Sequence, residues 1–191
     1  GIFDANINGH KAGNDLLAPF INDYEEHYQY CTYDVTNLLK ERNEISVLLG
    51  DGWYRGHFGL GEPTHYDRPL ALIAELRIVY SDGSVETICT DESWQYRRSF
   101  TTLSDIYNGE TQDHTRPLGD WQSAVVIGAP GKLCERYSPP LHYRESFPVK
   151  EVVHTPAGET VLDCGQNFAA HVVCPQKIPE GTTLTLECGD V

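Results

Sequence analysis

An aromatic loop over residues 51–68 carries side chains suited to binding a sugar. Trp53 and Tyr54 follow its glycine-rich start, and Asp67 lies near its end. An indole or phenol ring offers an apolar face on which the C–H face of a sugar can stack, and a carboxylate accepts hydrogen bonds from hydroxyls. These three residues are therefore candidates for substrate binding. The competing interpretation is that Trp53 covers the end of the core and Arg55 pairs with a nearby carboxylate.

A second group of oxygen donors follows at Asn108, Glu110 and Asp113. Calcium takes roughly six to eight oxygen ligands, and loops between strands supply them readily. The candidate metal ligands are Asp67, Asn108 and Asp113, whereas Asn108 and Glu110 complete the candidate sugar site. These donors make calcium possible. No Asp-x-Asp-x-Asp-Gly loop is present, however, and no cofactor is required. The competing interpretation makes Glu110 and Asp113 loop caps and partners of arginines.

The sequence nominates no catalytic residue. Its eight histidines are scattered singly, without the His-Glu-x-x-His spacing of a zinc hydrolase, and no Gly-x-Ser-x-Gly elbow is present. Glycoside hydrolysis needs two carboxylates at a fixed separation. With 28 Asp and Glu residues, carboxylate pairs arise by chance. The loop Gly50–Gly56 also lacks the Lys-Ser/Thr of a phosphate-binding loop and is expected to lead into no helix.

Alternation of apolar and polar residues predicts an all-β fold. Leu70–Tyr80 alternates with period two, and Asp82-Gly83 provides a turn before a return strand over Val85–Thr90. Asn8-Gly9 marks a further hairpin, and Ile45–Leu49 reads as a buried strand. The one credible helix is Asp34–Glu41, with Asp34 as its candidate N-cap. We expect a jelly-roll, galactose-binding-like antiparallel β-sandwich.

A change in composition predicts a domain boundary. Residues 1–135 form the first sandwich, and residues 136–148 read as a linker because Pro139-Pro140 cannot enter a central ladder. Residues 149–191 contain the first strands of a second sandwich, with strands predicted at Lys150–His154, Thr160–Cys164 and Thr182–Glu187. About 44 residues are too few to bury a core alone.

Charge and cysteine usage restrict the partners and the compartment. A formal net charge of −14 argues against nucleic acid as a partner, because phosphate binding needs clustered Lys and Arg. No apolar run approaches the ~20 residues that a membrane span needs. The six cysteines show no metal-binding spacing and suit small buried apolar positions. Free thiols favour a cytoplasmic location over an extracellular or periplasmic one.

The motifs of the chain resemble those of the N-terminal β-sandwich region of bacterial α-L-rhamnosidases. They occur in the expected order over nearly the whole sequence: Ile7-Asn8-Gly9, Tyr33–Gly56, Thr90–Trp94, Ile106–Glu110 and Asp163–Phe168.

The resemblance implies a role without catalysis by this chain itself. In that family the acid and base carboxylates lie in a downstream (α/α)6 barrel, and the enzymes release terminal α-L-rhamnose with inversion. The resemblance therefore implies rhamnose-containing glycosides and the downstream barrel as partners, and inactivity of this chain alone. Some such β-sandwich modules bind rhamnose through calcium. The alternative is a free-standing carbohydrate-binding, lectin-like module without an enzyme.

Overall fold

The computed structural model describes residues 1–57, 68–128, 131–174, 176–179, 181–182 and 185. The chain divides into two units, Gly1–His142 and Tyr143–Val191. This division falls inside the predicted linker of residues 136–148. Asp67 and most of the predicted strand Thr182–Glu187 lie outside the described residues.

The regular elements of the first unit are almost all short strands. In the described part its strands are β1 Ile2–Ile7, β2 His10–Lys11, β3 His27–Tyr30, β4 Ile45–Gly50, β5 Glu75–Val79, β6 Val85–Cys89, β7 Gln95–Tyr96, β8 Thr101–Asp105, β9 Gly109–Gln112, β10 Gln122–Ser123 and β11 Lys132–Glu135. The helical elements there are a 3-10 helix, Thr36–Leu38, and an α-helix, α1 Gly52–Arg55. The predicted all-β class is confirmed.

A three-stranded sheet of order β2-β1-β4 anchors the unit. β1 and β4 pair antiparallel along their full lengths, from Ile2 opposite Gly50 to Ile7 opposite Ile45. The β1–β2 turn is formed by Asn8 and Gly9, which both have positive φ, at 54° and 78°. Asparagine and glycine tolerate this conformation best, so the predicted hairpin at Asn8-Gly9 is confirmed.

The other strands form two-stranded pairs. β5–β6, β7–β10 and β8–β9 are antiparallel, whereas β3 and β11 run parallel although about 100 residues separate them. The β5–β6 turn follows its sequence signal, because the Asp82 carboxylate accepts hydrogen bonds from the Ser84 amide and hydroxyl. β5 is shorter than the predicted strand Leu70–Tyr80. The ladder begins where Glu75 pairs with Cys89, the last residue of β6, and the Ala74 carbonyl extends it by one bond from the Thr90 amide at 3.0 Å.

Two local predictions were wrong. The predicted helix Asp34–Glu41 is only the 3-10 turn Thr36–Leu38, which ends because Leu39 is extended at φ −75° and ψ 145°. The carboxylate of Asp34 accepts a hydrogen bond from the Thr36 amide at 3.0 Å. This local bond and the β-branched residues there favour a turn over a regular helix.

The second error is in the Gly50–Gly56 segment, which was predicted to be a loop throughout. It contains α1, in which the Asp51 carbonyl accepts bonds from the Tyr54 and Arg55 amides at 3.0 and 3.1 Å. A helix of one turn is too short to show a 3.6-residue period, so the sequence pattern could not reveal it.

A buried ion pair holds the first and last parts of the unit together. The side chain of Asp15 is 7% exposed and accepts hydrogen bonds from the Arg136 guanidinium and, at 3.0 Å, from the Tyr33 hydroxyl. His142 Nδ1 lies 3.7 Å from its other oxygen. Burial alone would raise the pKa of the Asp15 carboxyl, but these hydrogen bonds and charges outweigh burial and lower it.

The second unit contains one hairpin among its described residues. β12 Glu151–His154 and β13 Thr160–Asp163 pair antiparallel through a turn at Thr155–Gly158, which confirms the predicted strands near Lys150–His154 and Thr160–Cys164. No helix among the described residues of either unit is long and apolar enough to cross a membrane.

Candidate functional site

The candidate site lies where α1 meets the turn between β8 and β9. β4 ends at Gly50 and α1 begins at Gly52, and both glycines are closely packed. A Cβ on Gly50 would lie 2.5 Å from Ser104 Oγ, and a Cβ on Gly52 would lie 2.7 Å from a methyl group of Ile2. Both distances are shorter than real Cβ contacts, so these glycines let the segment approach β1 and β8.

The carboxylate of Asp105 is the centre of this site. Its side chain is 2% exposed. One oxygen, Oδ2, accepts a bond from the His57 amide at 2.6 Å and lies 2.9 Å from His57 Nδ1. The other oxygen accepts bonds from the amides of Tyr107 and Asn108, both at 2.8 Å. A single side chain therefore closes the β8–β9 turn and fastens the residue that follows α1.

This hydrogen bonding decides the charge of Asp105. Burial alone would raise the pKa of its carboxyl, but the bonds from the His57, Asn108 and Tyr107 amides and from the His57 ring outweigh burial. They hold the pKa of the Asp105 carboxyl well below its usual range. The group is therefore an ionised acceptor and has no proton to give at neutral pH.

Asn108 completes the contact between the two segments. Its amide nitrogen Nδ2 lies 2.9 Å from His57 Nδ1, and His57 remains 40% exposed. A carboxylate that orients an imidazole supplies two of the three members of a hydrolytic triad, and the third is a nucleophile. In the described chain, however, the His57 ring contacts Asp105 and Asn108 and no hydroxyl or thiol nucleophile. The arrangement positions two loops, and we name it the His57–Asp105 clasp.

Trp53 and Tyr54 lie in an aromatic cluster beside the clasp. The Trp53 ring packs against Phe20 at a centroid distance of 5.1 Å, and the Tyr54 ring packs against Tyr24 at 4.8 Å. Both side chains are half-buried. Arg55 Nε lies 3.8 Å from Asp51 Oδ1. Arg55 therefore lies near a carboxylate, and the stacking of a sugar on Trp53 or Tyr54 stays a prediction.

The predicted oxygen donors are not all brought together. Asn108 lies at the clasp, whereas Glu110 is exposed on β9 and accepts a hydrogen bond from Gln112. Asp113 lies past the far end of β9, where its carboxylate binds the Thr115 amide at 3.0 Å and hydroxyl at 2.6 Å. Asp113 is thus a loop cap, as the competing interpretation held.

The described residues do not fit a calcium site. At about 3.3 Å per residue along a strand, Asn108 and Asp113 are about 16 Å apart, too far to share one ion. No group of three or more His, Cys, Asp or Glu side chains in the described ranges could hold a metal. The third predicted ligand, Asp67, lies outside those ranges.

Sequence reasoning missed His57 and Asp105. The sequence contained one signal for Asp105. An Asp side chain often accepts hydrogen bonds from the backbone amides two or three residues later in a turn, which here are those of Tyr107 and Asn108. His57 carried none, since its partner lies 48 residues away in the sequence.

Comparison with known proteins decides the family. The sequence model of the α-L-rhamnosidase N-terminal domain matches residues 1–142. The chain belongs to this family. The resemblance drawn from the motifs is confirmed.

Relatives are similar along the whole chain. An α-L-rhamnosidase from Streptomyces avermitilis is 31% identical over 204 residues, covering 100% of this chain and 20% of that protein. One from Formosa agariphila is 27% identical and covers 90% of this chain and 20% of its own length. The chain thus spans about a fifth of the length of these relatives.

Solved structures agree. The S. avermitilis enzyme, complexed with L-rhamnose, matches 87% of this chain and 18% of its own with a TM-score of 0.76 at 29% identity. The native enzyme from Aspergillus terreus matches 87% of this chain and 21% of its own with a TM-score of 0.73 at 32% identity. The β-sandwich class predicted from the sequence is confirmed.

Proposed function

We propose that this chain is the non-catalytic β-sandwich portion of an inverting glycoside hydrolase that releases terminal α-L-rhamnose from glycosides. The observation that carries the proposal is the family match over residues 1–142, combined with the coverage of only 20% of a 31% identical α-L-rhamnosidase. Four-fifths of that relative lies outside the matched region, which leaves room for a separate catalytic barrel.

The state of the buried carboxylate supports a non-catalytic role. An inverting hydrolase needs one protonated carboxyl as general acid and one carboxylate as base, roughly 6.5–9.5 Å apart. Asp105 has a lowered pKa and accepts bonds from three amides and a ring nitrogen. It therefore suits the holding of loops and does not suit general-acid chemistry.

Within this role, the exposed side of the His57–Asp105 clasp is the proposed place for a rhamnosyl group. Asn108 is exposed at the clasp and Glu110 is exposed on the adjoining strand β9, and they offer amide and carboxylate groups to sugar hydroxyls. The half-buried Trp53 and Tyr54 on α1 are the proposed stacking partners. Asp67 would be a further hydroxyl partner.

An apolar segment supports packing against the rest of the enzyme. Val125, Val126 and Ile127 are 78%, 67% and 54% exposed. Three consecutive exposed apolar side chains are typical of surfaces that another domain covers. We propose the downstream catalytic barrel of the same chain as that partner.

Calorimetric titration of L-rhamnose tests the recognition role. We expect saturable binding that Glu110→Ala and Asn108→Ala each weaken roughly tenfold, through loss of a hydrogen bond worth about 1.5 kcal/mol. Asp113→Ala is the matched control, because Asp113 caps a turn at the other end of β9. Binding that none of these changes affects would place the sugar elsewhere. A chelator arm tests calcium, and since the described residues form no calcium site, we expect it to change nothing.

An activity measurement tests the enzymatic part. The purified chain should not cleave an aryl α-L-rhamnoside, whereas the same chain extended by a downstream barrel should. Turnover by the chain alone, lost on replacing one of its own carboxylates, would contradict the proposal.

We also propose a cytoplasmic location. The five cysteines in the described ranges carry no disulfide, and reduced thiols are the rule in reducing compartments. Fractionation of producing cells tests this, and recovery of the protein outside the cytoplasm would contradict it.

A further inference from the structure

A basic cavity lies at the open end of the β8–β9 hairpin. The antiparallel pair β7–β10 joins Tyr96 to Gln122 and Gln95 to Ser123, so it closes off the segment that contains the hairpin. This pairing brings the residues just after β7 next to those just before β10. The resulting cavity is an open cleft of about 690 Å³, and most of the side chains that line it are exposed.

Three arginines line this cavity: Arg97, Arg98 and Arg116. They are three of the nine arginines in a chain whose net charge is −14, so the cavity concentrates positive charge on an acidic protein. None of them forms an ion pair with another described residue. One carboxylate, Asp120, also lines the cavity, which leaves an excess of positive charge.

Arg97 is held in place without being neutralised. The guanidinium carbon of Arg97 lies 4.4 Å from the centroid of the Trp121 ring, a stacking that keeps its N–H donors available. Arg116 follows Asp113 closely. The Thr115 hydroxyl and amide and, more weakly, the charge of Arg116 lower the pKa of the Asp113 carboxyl, yet Arg116 makes no direct salt bridge with it.

An aromatic face completes the lining. Tyr96 is 54% exposed, and its hydroxyl donates a hydrogen bond to Gln122 Oε1 at 2.8 Å. This bond fixes the ring across the β7–β10 pair. A fixed, exposed aromatic ring beside planar guanidinium groups can contact a sugar face and a carboxylate at the same time.

We propose that this cavity binds a carboxylate-bearing oligosaccharide, with the arginines paired to its uronate group. A single carboxylate fits the fork of a guanidinium, and the aromatic ring and cavity volume suit the sugar residues that carry it. A long polyanion such as nucleic acid suits it poorly, because the acidic remainder of the chain would repel it. The site is separate from the proposed rhamnose site, which lies at the turn end of the same hairpin.

Calorimetric titration with trigalacturonate, compared with its fully methyl-esterified form, tests the proposal. The two probes share their sugar rings and differ in charge. We expect saturable binding of the acid and none of the ester at the same concentration. Arg97→Gln and Arg98→Gln should each weaken binding roughly tenfold or more, and Arg97→Lys should weaken it less because it keeps the charge.

Arg77→Gln is the matched control, since Arg77 is exposed on β5 and lies outside the cavity lining. Its affinity for trigalacturonate should equal that of the wild type. Equal binding of the ester, an equal loss in Arg77→Gln, displacement of the sugar by an equal concentration of inorganic phosphate, or no binding at all would each overturn the proposal. Because rhamnose is neutral and tested separately, failure here is distinguishable from failure of the proposed function.

Discussion

Asp105 shows how one side chain can hold two loops. Its carboxylate accepts hydrogen bonds from the Tyr107 and Asn108 amides in the β8–β9 turn and from the His57 amide after α1. Because His57 is 48 residues away in the sequence, Asp105 links two distant segments. A buried acceptor of this kind is costly to replace, because its donors are left without a partner.

Asp105→Asn should therefore lower the free energy of unfolding by about 2 kcal/mol, since the amide keeps the shape but has only one acceptor oxygen. Urea denaturation followed by circular dichroism measures this. Asp113→Asn is the control, because that carboxylate is exposed and its replacement should leave stability nearly unchanged. Equal losses in both variants would show that Asp105 is an ordinary turn cap.

The Asp15 carboxyl leads us to expect that the free energy of unfolding depends on pH in the acid range. The pKa of its carboxyl is lowered in the folded chain, whereas the unfolded value is about 3.9. The unfolded chain therefore binds a proton more readily, and the stabilisation is present above about pH 4 and lost as pH falls through the folded pKa. The free energy of unfolding should decrease below about pH 5, and Asp15→Asn should flatten this decrease.

Urea midpoints measured between pH 3 and pH 7 check the Asp15 prediction. Glu41→Gln is the matched control, because Glu41 is exposed and has no hydrogen-bond or ion-pair partner in the described chain. If the urea midpoint falls with pH as steeply in Asp15→Asn as in the wild type, the Asp15–Arg136 pair does not cause the loss of stability in acid.

At the scale of elements, close packing of glycines positions α1. A Cβ on Gly56 would meet the Gly52 carbonyl oxygen and lie 2.8 Å from Asp105 Oδ2. Gly56→Ala should thus destabilise the chain by roughly 1–3 kcal/mol through overpacking against backbone. Gly128→Ala is the matched control, because a Cβ there has no neighbour within 4 Å. Thermal unfolding compares the two variants. Equal unfolding midpoints would mean that α1 can shift to make room for the added methyl group, and that the close packing at Gly56 does not position it.

Local signals account for the elements that could be predicted. Asn8-Gly9 and Asp82-Gly83 specify their hairpins because few other residues accept positive φ, and the alternation in β5 and β6 reflects one face of a ladder. α1 has too few residues for a period, and the His57–Asp105 clasp depends on a contact that no local pattern encodes. The sequence therefore indicated that the α1 segment meets the turn at Asn108, and the sugar site at that place stays a prediction.

At the scale of the whole molecule, the cysteines in the described ranges form no cross-link. Cys31, Cys134 and Cys164 are half-buried, Cys89 and Cys174 are exposed, and none of these five forms a disulfide. Cys31 accepts a hydrogen bond from the Arg136 guanidinium at 3.4 Å, so its thiol belongs to the Asp15–Arg136 network. Strand and network positions of this kind suit a small, polarisable side chain and need no cross-link.

Thiol titration of the denatured chain without reductant should consequently count six free groups, one for each cysteine in the sequence. Under native conditions, the exposed Cys89 and Cys174 should react first, because a reagent reaches them without unfolding. Cys89→Ser and Cys31→Ser are a suitable pair of variants, since the first should remove one of the two fast-reacting groups and the second should remove neither. A denatured count below three would show that disulfides hold the fold, and the proposed location would then move outside the cytoplasm.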